Sequence, residues 1–114
     1  MTLRCTPLDA PLGALVEGFD FAEPVDAGAR ELLVSAIDEH LMLLFRNGDT
    51  PPTNQQVVDV CTAIGPLRPT LADKSRLPGY AGINSVSNRD ADGVVGTGGH
   101  GIVTWHSDLS FQPP

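Results

Sequence analysis

Apolar and polar positions fall along this chain in an order that alternates short extended segments with longer helical ones. Gly13 to Phe19 reads as a first strand, and the Asp20-Phe21-Ala22-Glu23-Pro24 segment after it is rich in turn formers. Asp26 then stands where a helix N-cap is expected. Downstream of it, Leu33, Ala36, Ile37, His40 and Leu41 recur at the i, i+3, i+4, i+7, i+8 spacing of one helical face. Leu41 to Phe45 is a continuous apolar run closed by Arg46-Asn47-Gly48-Asp49, the pattern of a short buried strand ending in a turn. Thr53 and Gln56 have capping-box spacing and open a second helix. Its apolar face is read as Val57, Val60, Cys61 and Ile64, and Gly65-Pro66 stops it.

Beyond this point the pattern thins. A strand is expected to resume near Ala81, with Ile83 to Ser87 leading into the polar turn Asn88-Arg89-Asp90-Ala91-Asp92-Gly93. A glycine-rich loop follows, then a final strand-like stretch from Ile102 to His106. If that stretch is extended, side chains alternate between faces, so His106 and Asp108 share one side while Trp105, Ser107 and Leu109 take the other. An imidazole nitrogen and a carboxylate oxygen would then converge. Such a pair supplies two arms of the 2-His-1-carboxylate arrangement that holds Fe(II) and leaves positions open for other ligands.

Composition narrows the setting. The 114 residues suit a single domain, and twelve glycines with ten prolines favour a loop-rich α+β chain over a helical bundle. Hydrophobic residues make up 41%, no apolar run reaches the length of a membrane span, and the first residues lack the apolar core of a secretory signal, which points to the cytoplasm. Seven basic against 14 acidic side chains give a formal charge of −7, which disfavours nucleic acid and anionic membranes as partners. Cys5 and Cys61 form no CxxC and lack a secretory context, which argues against a disulfide, and Cys61 is expected as a small buried thiol. His40, at a helix C-terminus, reads as structural, favoured there by the helix dipole.

Two further patterns are set aside on context. Asn88, Asp90, Asp92 and Gly93 match the opening of a calcium-binding loop, but Gly99 stands where the closing bidentate Glu is needed. Gly96, Gly98 and Gly101 spell G-x-G-x-x-G, yet strand-like Ile102-Val103-Thr104-Trp105 follows where a dinucleotide site needs a helix. His100 in this loop is read as at most a second-layer or substrate contact. A zinc hydrolase built on His100, His106 and Asp108 is the weakest alternative, because no general base is placed beside them.

The order of motifs resembles the N-terminal part of the TauD/TfdA family of Fe(II)- and 2-oxoglutarate-dependent dioxygenases. Pro11-Leu12-Gly13-Ala14 with Gly18-Phe19-Asp20 is similar to that family's opening strand, and Glu39-His40 through Leu44-Phe45-Arg46 to its helix-to-strand step. Gln55-Gln56 through Ile64-Gly65-Pro66-Leu67 resembles the next helix and its stop, and Trp105-His106-Ser107-Asp108-Leu109-Ser110-Phe111 resembles the metal strand. The resemblance implies the N-terminal portion of a double-stranded β-helix (jelly-roll) fold with two flanking helices, spanning residues 1–114. It implies His106 and Asp108 as iron ligands, Leu109 at the border of a substrate pocket, and 2-oxoglutarate and O₂ as co-substrates. A small organic molecule would be hydroxylated or oxidatively cleaved. Arg68-Pro69-Thr70 and Ile102 stand where the taurine branch carries a substrate-binding His and an Asn, which argues against taurine. The family's distal His and its 2-oxoglutarate-binding Arg are expected beyond Pro114, so the chain reads as truncated. The competing reading is a non-catalytic remnant or interaction module, and incomplete sheets raise the expectation of homo-oligomers.

Overall fold

The computed structural model describes residues 2–46, 50–69, 76–87 and 104–108, which divide between two compact units, Met1–Pro69 and Thr70–Pro114. The first unit carries strand β1 (Arg4–Pro7), strand β2 (Ala14–Glu17), helix α1 (Ala27–His40), strand β3 (Leu43–Phe45) and helix α2 (Asn54–Ile64). They make a three-stranded sheet in the order β1-β2-β3, with β1 antiparallel and β3 parallel to the central β2. Because parallel neighbours need a crossover, α1 bridges β2 to β3 and packs against the sheet and α2. The expected α+β class and both helices are therefore present.

Alternation along β2 sets the core. Ala14 and Val16 are buried while Leu15 and Glu17 are only partly covered, and Leu33 and Ala36 of α1 and Val60 of α2 complete the buried apolar set among the described residues. Phe19, Phe21 and Phe45 stack edge-to-face beside it, with centroids 4.8, 5.3 and 5.6 Å apart. Both helix starts follow their sequence signals. The Asp26 carboxylate accepts from the Ala29 N–H at 2.7 Å, while Thr53 and Gln56 exchange side-chain to backbone bonds at 3.2 and 2.8 Å.

Several expectations shift. The strand read as Gly13 to Phe19 shortens to Ala14–Glu17, because Gly13 and Gly18 at its ends have φ of +104° and +73°. Strand β1 has no clear apolar alternation. It is held by its register with β2, Arg4 opposite Glu17 through Pro7 opposite Ala14, and by a two-point Arg4–Glu17 ion pair at 2.9 and 3.1 Å. The apolar run from Leu41 does not begin a strand there. Leu41 closes α1 in the left-handed region at φ 66°, its N–H bonded to the Ile37 carbonyl at 2.8 Å, and pairing starts at Leu43. Cys61 is exposed, not buried: the covered stripe of α2 runs through Gln56, Val60, Ala63 and Ile64, rotated from the face expected.

In the second unit, Ala81 lies in a turn rather than a strand. Tyr80 and Ile83 N–H groups bond to the Leu77 and Tyr80 carbonyls at 3.0 and 3.1 Å, and an antiparallel bridge joins Arg76 to Asn84. Among the described residues no helix is long and apolar enough to cross a membrane.

Candidate metal centre

The His-x-Asp pair lies in the second unit. Thr104–Asp108 is not a paired strand: the backbone bends at Trp105 and at Asp108, so simple strand alternation does not explain how the two side chains meet. They meet nonetheless, with His106 Nε2 3.1 Å from Asp108 Oδ1. A second contact orients the ring. His106 Nδ1 lies 2.7 Å from the Thr104 carbonyl oxygen, an acceptor that requires the Nδ1–H form and leaves Nε2 toward the carboxylate.

This arrangement has one electrostatic consequence. With Nδ1 donating to Thr104, an unprotonated Nε2 sets its lone pair against a carboxylate oxygen, which is unfavourable unless a cation lies between them. A proton can be that cation, and the His106 pKa is raised, first by the Thr104 carbonyl and then by the Asp108 charge. A divalent metal can be that cation as well. Two adjacent ligands each about 2.1 Å from an octahedral ion lie about 3 Å apart, so the observed spacing and the nitrogen-plus-oxygen donor set both fit Fe(II) or a similar ion. The His106 side chain is about half exposed (55%) and that of Asp108 largely so (89%), which leaves room for further ligands. No group of three or more His, Cys, Asp or Glu side chains placed to hold a metal occurs among the described residues.

Other expected residues separate into placed and unplaced. His40 is structural: its side chain is mostly covered, Nε2 is 3.9 Å from Glu39 Oε2, and its carbonyl accepts from the Gly13 N–H at 2.8 Å, tying α1 to the start of β2. Leu109, His100, the Asn88 to Gly93 turn and the glycines Gly96, Gly98 and Gly101 lie outside the described residues. The sequence reading passed over a recess in the first unit lined by Phe19, Phe21, Arg46, Thr50 and Gln56. Its residues are scattered over three segments, and Phe45-Arg46 was visible only as the end of a strand.

Comparison with known proteins gives a consistent answer. The model of the family described as "Taurine catabolism dioxygenase TauD, TfdA family" matches residues 4–114. Pentalenolactone F synthase of Streptomyces avermitilis is 33% identical over 104 residues, covering 90% of this chain and 34% of that protein. The Streptomyces arenae enzyme of the same name is 32% identical over 113 residues, covering 97% and 38%. The chain thus spans about a third of the length of these relatives. Among solved structures, one from Burkholderia xenovorans, provisionally assigned as an alpha-ketoglutarate-dependent taurine dioxygenase, aligns with a TM-score of 0.65 at 22% identity, over 79% of this chain and 32% of that one. A second, AAD-2 in complex with Mn(II) and N-oxalylglycine, aligns with a TM-score of 0.51 at 26% identity, over 60% and 26%. The family match over nearly the whole length shows that this chain belongs to the TauD/TfdA dioxygenase family.

Proposed function

We infer that this chain carries the near half of a non-haem iron centre that acts with 2-oxoglutarate and O₂ on a small organic substrate. The observation that carries the reading is the His106–Asp108 pair, 3.1 Å apart, with the imidazole oriented by the Thr104 carbonyl. Metal-binding histidines are commonly held in this way, the ring nitrogen away from the ion donating to a backbone carbonyl so that tautomer and direction are fixed together. His106 Nε2 and Asp108 Oδ1 are then the ligands, and Thr104 is the positioning group.

Bound Fe(II) would supply the redox chemistry that couples oxidative decarboxylation of 2-oxoglutarate to hydroxylation or oxidative cleavage of the substrate. The Mn(II) and N-oxalylglycine in AAD-2 support this reading, since N-oxalylglycine has the two carboxylates and the α-keto acid end of 2-oxoglutarate with one methylene replaced by N–H. Leu109, next in sequence to the ligand Asp108, would border the substrate, shaping the pocket without charging it. Completion of a jelly roll, with a third ligand and a cation for the co-substrate, is assigned to sequence of the kind the longer relatives carry.

The test is anaerobic Fe(II) binding by the 114-residue chain, followed by succinate formation from 2-oxoglutarate in air. Two protein ligands predict weak binding, lost in His106→Ala and in Asp108→Ala, and no succinate from this chain alone. Iron binding indifferent to both substitutions would favour the non-catalytic module instead.

A further inference from the structure

The recess in the first unit has the chemistry of a small-molecule binding site. It has a volume of about 470 Å³, within the range of small-molecule pockets, and Phe19 and Phe21 are among its lining residues. Arg46 lines it and is exposed, and its guanidinium has no hydrogen bond or ion pair among the described residues. Gln56 also lines it, and the capping box fixes which end of that amide is available. Gln56 Oε1 accepts from the Thr53 N–H at 2.8 Å, so the acceptor end is occupied and the Nε2 amide end, with its two donors, is left without a partner among the described residues. Thr50 adds a hydroxyl. Asp20 also lines the recess and keeps its negative charge there, its Oδ1 accepting from the Ala22 N–H at 2.8 Å.

The recess therefore offers a fixed-charge cation, two amide donors and a hydroxyl beside aromatic edges. We propose that Arg46, Gln56 and Thr50 form a site for a small carboxylate with an aryl or alkyl body, the carboxylate on the Arg46 fork and the body against Phe19 and Phe21. A guanidinium pairs with a carboxylate bidentately, and the donor-only face of Gln56 selects against a cationic or donor-only group at the same place. Binding of this kind needs neither a metal nor His106.

Benzoate is the probe, with benzamide as its neutral counterpart, followed by ¹H–¹⁵N spectra of the full 114-residue chain at constant ionic strength. Benzoate is expected to shift Arg46 Nε–H, the Gln56 side-chain amide and the backbone of Phe19 to Phe21, and to bind about tenfold more tightly than benzamide. Arg46→Gln should weaken benzoate about tenfold. Gln56→Glu should do the same while leaving helix α2 intact, because a Glu carboxylate still accepts from Thr53 N–H yet sets a negative charge where the donors were. Equal binding of benzamide and benzoate, or undiminished benzoate binding by Gln56→Glu, would overturn the proposal, as would shifts confined to other residues or none at all. Inorganic phosphate that displaces benzoate without loss of affinity would reduce the site to an unselective cation and overturn its aryl preference.

Discussion

Gly18 is the position where a single methyl group should do the most damage to the first unit. It ends β2 at φ +73°, and a Cβ built there would lie 2.5 Å from the Thr2 carbonyl oxygen and 2.9 Å from the Thr2 carbonyl carbon. Alanine in the left-handed region costs roughly 1 kcal/mol. The contact is with backbone, not with the end of a flexible side chain, so relief requires the segment entering β1 to move, adding about 1–3 kcal/mol by analogy with overpacked cores. Gly18→Ala should therefore destabilise by about 2–4 kcal/mol, a large part of the stability of so small a unit. Two other glycines separate the contributions. Gly13 has φ +104°, and its Cβ would meet Met42 Cε at 2.7 Å and Leu8 Cδ1 at 2.9 Å, both ends of side chains that can turn aside. Gly13→Ala should cost about 1–2 kcal/mol. Gly65 has φ −166° and nothing within 4 Å of an added Cβ, so Gly65→Ala should be neutral or stabilise by about 0.5 kcal/mol. Urea denaturation followed by far-ultraviolet circular dichroism should rank the three variants in that order, with an m-value of about 1–2 kcal/mol per molar converting the differences into midpoints. A Gly18→Ala midpoint no lower than that of Gly65→Ala would refute the close approach of Thr2 to the end of β2.

Leu41→Gly should stabilise by up to about 1 kcal/mol in the same assay, since Leu41 occupies the left-handed region while 71% exposed, so little burial is lost with the side chain. Thr53→Ala should destabilise by about 1 kcal/mol through loss of the bond from Gln56 N–H, and Thr53→Ser should largely restore it. Arg4 holds the Glu17 carboxyl below its ordinary range, chiefly through the direct hydrogen bond, so the stabilisation from this pair is full above that range and disappears as pH falls through the depressed value. Arg4→Ala should flatten this part of the pH profile, as read from denaturation midpoints in acid. Size-exclusion chromatography with light scattering should show self-association that rises with concentration, because β3 leaves an apolar edge with no further strand beyond it among the described residues.

The helices were the most legible part of the sequence because their starts are chemical as well as periodic. Asp26 and the Thr53 to Gln56 exchange satisfy the same backbone N–H groups in the structure that their residue types imply in the sequence. Periodicity alone was less reliable. On α2, Val57 and Cys61 fit an apolar stripe as well as Val60 does, yet α1 covers only one side, and the exposed Cys61 shows that a small thiol tolerates the other. Strand β1 was missed because Arg-Cys-Thr-Pro has no apolar alternation, and its pairing depends on partners in another strand, from Pro7 opposite Ala14 to Arg4 opposite Glu17. His106 and Asp108 do approach each other, but through a bent backbone anchored by the Thr104 carbonyl and not through the strand alternation that the sequence suggests. The recess at Arg46 could not be read from the sequence, since it depends on three segments meeting and on the capping box using up one end of Gln56.

The central claim, that His106 and Asp108 hold a divalent metal, has a built-in reporter: Trp105, the single tryptophan of the chain, is fully exposed beside the first ligand. Mn(II) titrated into the ¹⁵N-labelled chain should broaden the lone indole N–H resonance and the amides of residues 104–108. His106→Ala and Asp108→Ala should each remove most of that broadening, and the double variant all of it. Broadening that begins at the acidic side chains of the first unit, or that persists around Trp105 in the double variant, would contradict the assignment of these two residues as the metal ligands.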